Sequence, residues 1–93
     1  MNIYISGPIE GADNYREKFE RAKRIIEKGG HKAINPADLE PYAKEQILNL
    51  DLVLLDLCDT IYMLKGWEQS CGANREYGYA LAKGLYIMFE RDE

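Results

Sequence analysis

The sequence predicts one α/β domain, a four-stranded parallel sheet in three layers with helices on both faces. Short β-rich runs alternate with helical patterns in the order βαβαβαβ. Gly or Pro stands at most of the junctions between them. The 93 residues fit a single domain, 1–93, with no linker, internal repeat or low-complexity stretch.

Residues 2–6 form the first β-rich run, closed by Gly7-Pro8. Asp13 is expected to cap a helix in which Tyr15, Phe19, Ala22 and Ile26 fall at amphipathic spacing and Gly29-Gly30 ends the pattern. Residues 31–35 read as a second short strand, ended by Pro36. Asp38 is placed as a cap of the next helical region. Residues 43–57 are expected to be helical: 50–57 is apolar enough for a buried strand, but the run is long and Leu favours helix over strand. Residues 59–64 supply strand three, 65–71 a polar loop, 73–83 a helix closed by Gly84, and 85–89 strand four, before a charged tail at 90–93. The expected class is thus a small three-layer α/β/α, flavodoxin- or Rossmann-like domain. In such sheets ligands bind beyond the carboxyl ends of the strands. Those ends are residues 7–14, 35–41, 65–72 and the last few, and the first and third carry the residues with chemistry to offer.

Composition narrows the function classes. The net charge is −4, and the basic residues at 16–28 are interleaved with Glu17, Glu20 and Glu27. That is the pattern of a solvated helix face, not a strip for polymer phosphates, so no nucleic-acid polymer is expected as a partner. No apolar run reaches the roughly 20 residues that span a bilayer, and no leader pattern opens the chain. The two cysteines, Cys58 and Cys71, lack paired CxxC spacing and read as packing thiols of a reducing cytoplasm. No cofactor or metal is called for. Asp51, Asp56 and Asp59 have no His near them in sequence, and the latter two read as turn or cap residues. His31 is given no role.

Two acids fall where acids are costly. Glu76 shares a helical stripe with Ala73, Tyr77 and Ala80, the side expected to face inward. Asp51 has Ile47, Leu48, Leu55 and Cys58 as its stripe on the preceding helix. A carboxylate removed from water needs compensation, so each is either a hydrogen-bonded structural acid or a member of a pocket. Tyr4, inside strand one, is a core aromatic or a site residue. The glycines of Gly7-Pro8-Ile9-Glu10-Gly11 permit close approach of backbone to a ligand, although neither the dinucleotide nor the Walker spacing is present. Ser70 and Gly72 stand where the third loop becomes a helix. They serve there as a simple cap or as a phosphate site at the free N–H groups. Trp67, on the same polar loop, stacks on a flat ring or covers the core edge.

Taken together these residues resemble the nucleoside 2-deoxyribosyltransferase superfamily over nearly the whole chain, and most nearly its small phage and bacterial members. Tyr4-Ile5-Ser6-Gly7-Pro8-Ile9 is similar to the family's opening strand and Gly-Pro loop. Asp51, eight residues before Asp59, is similar to its second-helix acid. The segment from Gly72 through Glu76 to Gly78-Tyr79-Ala80 is similar to its nucleophile motif, the most specific of the three. The resemblance implies cleavage or exchange of the N-glycosidic bond of a 2-deoxyribonucleoside or its 5′-monophosphate. Glu76 would attack the anomeric carbon, Asp51 would assist departure of the base, and Tyr4 would position Glu76. Gly7, Pro8, Ile9, Trp67, Ser70 and Gly72 would bind substrate. Ser70 matches a Ser of the related deoxynucleoside 5′-monophosphate glycosidase where nucleoside-preferring members carry Asp, which implies a preference for the phosphorylated substrate. Strand four lies close to the end of the chain, where the family continues to a fifth strand, and Glu10 stands where the phosphate-preferring relative has a basic residue. The rival expectations are a non-catalytic nucleotide binder using the same pocket and an interaction module whose inward acids are merely hydrogen-bonded. So small a domain is expected to leave apolar surface for a second copy, giving a homodimer or higher homo-oligomer.

Overall fold

The computed structural model describes residues 1–9, 14–36 and 44–91. Its elements follow the order β1 (Asn2–Ser6), α1 (Tyr15–Lys28), β2 (Lys32–Ile34), α2 (Lys44–Asp56), β3 (Thr60–Met63), α3 (Cys71–Lys83) and β4 (Tyr86–Phe89). The four strands form one parallel sheet in the order β2-β1-β3-β4. This is the expected α/β class. β1 is an inner strand, and its alternation assigns its side chains to two cores. Ile3 and Ile5 point to the α1 side, where they meet Phe19, Ala22, Ile26, Tyr62 and Leu64. Tyr4 points to the other side, with Leu55, Cys58, Ile61, Met63, Ala73 and Ala80 from α2, β3, α3 and the turn between them.

The long apolar run resolves as helix: Leu55 on α2 is buried, while Leu50 and Val53 face outward with Leu57 just beyond its end. The helix stops at Asp56 in a tightened turn, Leu57 N–H donating to the Leu54 carbonyl and Cys58 N–H to that of Leu55. α3 begins two residues earlier than its apolar pattern suggests, because Ser70 Oγ accepts the Ala73 N–H at 3.2 Å and caps the first turn. The segment 65–71 is not a plain loop. Gly66, at φ 88°, leads into a 3₁₀ turn at Trp67–Gln69. Asn14 holds the N-cap position of α1 without a side-chain capping bond. The expected caps Asp13 and Asp38, and Glu10 and Gly11, lie outside the described residues. Of the two expected packing thiols only Cys58 is one. Burial, and after it the charge of Asp59, pushes it up to about 11, whereas Cys71 is exposed. No helix among the described residues is long and apolar enough to cross a membrane.

The carboxyl end of β1 is tied to the end of β3. Ser6 is in register with Met63, and the Leu64 N–H donates to the Ser6 carbonyl at 2.8 Å. Gly7 then leaves the strand against the buried Leu64, so closely that a Cβ at Gly7 would stand 2.8 Å from Leu64 Cβ. Gly78, by contrast, lies mid-helix in α3, with nothing within 4 Å of an added Cβ. Gly7→Ala is therefore expected to destabilise the fold by about 1–3 kcal/mol through overpacking. Gly78→Ala is expected to stabilise it by about 0.5–1 kcal/mol. Urea titrations of the two variants beside the parent chain check both signs.

Candidate active site

The buried stripe of α3 is Ala73, Glu76 and Ala80. Two alanines let the helix lie close to the sheet, and the carboxylate between them is carried down onto β1. There it meets two hydroxyls from one face of one strand. Tyr4 Oη donates to Glu76 Oε2 at 2.7 Å, and Ser6 Oγ donates to Glu76 Oε1 at 2.6 Å. Tyr4 and Ser6 are fully buried, and Glu76 is only 6% exposed. These are the short distances of hydrogen bonds to an ionisable acceptor.

Asp51 approaches the same carboxylate from α2 and is 5% exposed. It lies close enough to Glu76 and Tyr4 for its charge to act on both. Its Oδ1 is buried and has no hydrogen-bond partner among the described residues. A buried carboxylate oxygen without a donor is costly. Burial first, and then Asp51, hold the Glu76 carboxyl well above the usual carboxylate range, while the hydroxyls of Ser6 and Tyr4 pull it the other way. Burial and the charge of Glu76 likewise push the Tyr4 phenol up, so Tyr4 stays a donor at neutral pH.

Tyr4, Asp51 and Glu76 thus converge from β1, α2 and α3 over one face of the sheet. Ser6 is a fourth member that the sequence reading passed over. Its signal was available, because a residue two along from Tyr4 on a strand shares Tyr4's face. The other expected residues are more dispersed. Pro8 belongs to the first loop where it meets the third, since a Cβ on Gly66 would lie 3.3 Å from Pro8 Cγ. Gly7 packs on Leu64, and Ile9 packs against the α1-side core. Trp67 is half-buried, its ring 4.7 Å from that of Tyr77 and 6.2 Å from that of Phe89, so it covers the edge of the α3-side core. Ser70 caps α3 with an accepting lone pair and keeps its own hydrogen to donate. Gly72 lies in the first turn of that helix. Asp56 is engaged elsewhere, accepting from Tyr79 Oη at 2.6 Å and pairing with Lys83 at 3.5 Å, which clips α2 to α3.

One family model matches residues 1–89. The chain belongs to that family, which is described as a domain of unknown function, DUF4406. No curated protein matches it. Among solved structures it is similar to a 2-desoxiribosyltransferase from Leishmania mexicana, at 25% identity and a TM-score of 0.76 over 95% of this chain. It is also similar in fold to the CMP N-glycosidase BcmB of Clostridium botulinum, at 23% identity and a TM-score of 0.70 over 96% of this chain. The fold is therefore nucleoside 2-deoxyribosyltransferase-like. The chain spans 62% of the first of these proteins and 67% of the second.

The shifted carboxyl has a consequence for stability. A carboxyl raised in the folded state adds stability that is fully present below its unfolded value and is lost as pH rises through its folded one. Glu76→Gln, which mimics the protonated form, is expected to melt close to the parent chain at mildly acidic pH. It is expected to melt above it at alkaline pH, the gap widening as pH rises. Thermal melts across that range read the sign directly.

Proposed function

We propose that this protein cleaves, or exchanges the base at, the N-glycosidic bond of a 2-deoxyribonucleoside or its 5′-monophosphate, with Glu76 as nucleophile. The observation that carries this is the buried Glu76 carboxyl, gripped by two strand hydroxyls beside a second buried carboxyl whose Oδ1 has no partner among the described residues. The likeness to a deoxyribosyltransferase supports it. The reaction requires Glu76 in its charged form and a proton supplied to the leaving base through Asp51. A Glu76 oxygen bonds to the anomeric carbon as the C–N bond breaks, and the electron pair goes to the base nitrogen, which takes the proton from Asp51. The oxocarbenium-like centre is stabilised and then trapped by the facing carboxylate. Water or a second base next attacks the anomeric carbon, displacing Glu76 and giving its proton back to Asp51. Tyr4 keeps the departing and returning carboxylate in place.

Our reading of the substrate favours the 5′-monophosphate. Ser70 at the start of α3 offers a hydroxyl hydrogen at the helix N-terminus, where the helix dipole favours an anion. A second reading, a binder that captures the same ligand without breaking it, draws support from the two Glu76 oxygens, each of which already accepts a hydrogen bond. The outward Leu57, Leu81, Tyr86 and Phe89 are further read as a surface covered by another copy of the chain.

Incubation with a panel of deoxynucleosides and deoxynucleotides, followed by chromatography, is expected to release free base. Glu76→Ala is expected to lower that release by at least about a thousandfold, and Asp51→Asn by about 10²–10⁴-fold. Calorimetry on the inactive variant is expected to show the 5′-monophosphates binding more tightly than the nucleosides. Binding without release by the parent chain would select the binder instead. Light scattering on the eluted protein is expected to give a mass of at least two chains, and a monomer at all concentrations rejects self-association.

A further inference from the structure

Ser6 is 0% exposed, so it reaches no ligand itself. Its hydroxyl has one hydrogen to give, and Glu76 Oε1 accepts it at 2.6 Å. Tyr4 occupies the other oxygen at 2.7 Å. A carboxylate held at one oxygen still turns about its terminal bond, a broad torsion with little preference of its own. Held at both oxygens by donors on the same strand face, it has one plane left to it. The strand is itself immobilised where Ser6 stands, by the register with Met63, the bond from Leu64 N–H to the Ser6 carbonyl, and the contact of Gly7 with Leu64. The hydroxyl is thus delivered by backbone that is already fixed, with only its own χ1 to set. Electrostatics points the same way. Burial and Asp51 both favour a protonated Glu76, whereas a donor on the carboxylate favours the charged form that a nucleophile needs. Among the described residues the titratable groups acting on Glu76 are Asp51 from α2 and Tyr4 from β1.

We propose that Ser6 is a positioning residue of this site, which with Tyr4 sets the plane of the Glu76 carboxylate and stabilises its charged form beside Asp51. Its value to catalysis rests on the glycosidic reading; its grip on Glu76 does not. The experiment therefore has two readouts on Ser6→Ala, the ¹³C shift of the Glu76 carboxyl against pH and the pH profile of base release. The Glu76 titration is expected to move to higher pH than in the parent chain. The acid limb of kcat is expected to move the same way, with kcat about tenfold lower or more and KM within about twofold. Ser6→Cys keeps the shape and offers only a weak donor, and it is expected to give the same displacement if the alanine variant does not fold. A Glu76 titration unchanged in a folded variant overturns the proposal. A titration that moves in a protein releasing no base upholds the grip of Ser6 on Glu76 and rejects the glycosidic reading. Normal release with an unmoved titration does the reverse.

Discussion

Everything at the centre of this molecule is arranged around one carboxyl group almost wholly withdrawn from water. Glu76 lies between α3 and β1, where a charge is expensive, and the surrounding structure offsets that cost in two ways. Two hydroxyls donate to it, and a neighbouring acid lets it keep a proton. The small residues Ala73 and Ala80 allow α3 to come close enough for this to happen. The alternation of β1 supplies Tyr4 and Ser6 on the side facing α3 while Ile3 and Ile5 fill the core on the other. Packing and chemistry are two faces of the same five-residue strand.

The parallel order explains why three distant stretches of sequence share a site. β1 and β3 are neighbours in the sheet although more than fifty residues separate them, and α3 follows β3 back over β1. An inner strand of a parallel sheet is buried on both faces. A polar group at its carboxyl end must therefore be paired or be used. In this chain Ser6 and Tyr4 are paired with Glu76, and Asp51 Oδ1 is the polar atom of the cluster left over.

Much of this was legible in the residues. The order of elements, the parallel sheet and the inward stripe of α3 follow from periodicity and from Gly and Pro punctuation, and the structure agrees. The boundaries were less legible, because caps decide them: Ser70 lengthens α3 by reaching Ala73, and Gly66 turns a supposed loop into a 3₁₀ turn. Periodicity could place Glu76 and Asp51 inward but not against each other, since the contact between two helices depends on how both sit on the sheet. Trp67 illustrates the same limit. Its loop is polar in sequence, yet its ring is drawn in by Tyr77 and Phe89, partners that only the fold assembles. Cys71 is the reverse case, an apolar residue left outside because the helix start turns it to solvent.

The contact of Pro8 with Gly66 joins the first loop to the third, just after the strands β1 and β3 that precede them. The acid cluster sits on strand and helix, and these two loops are connecting segments. A lineage can thus rewrite those segments while the buried acids beneath stay untouched. The architecture separates inheritance of the buried acid from inheritance of the loops around it.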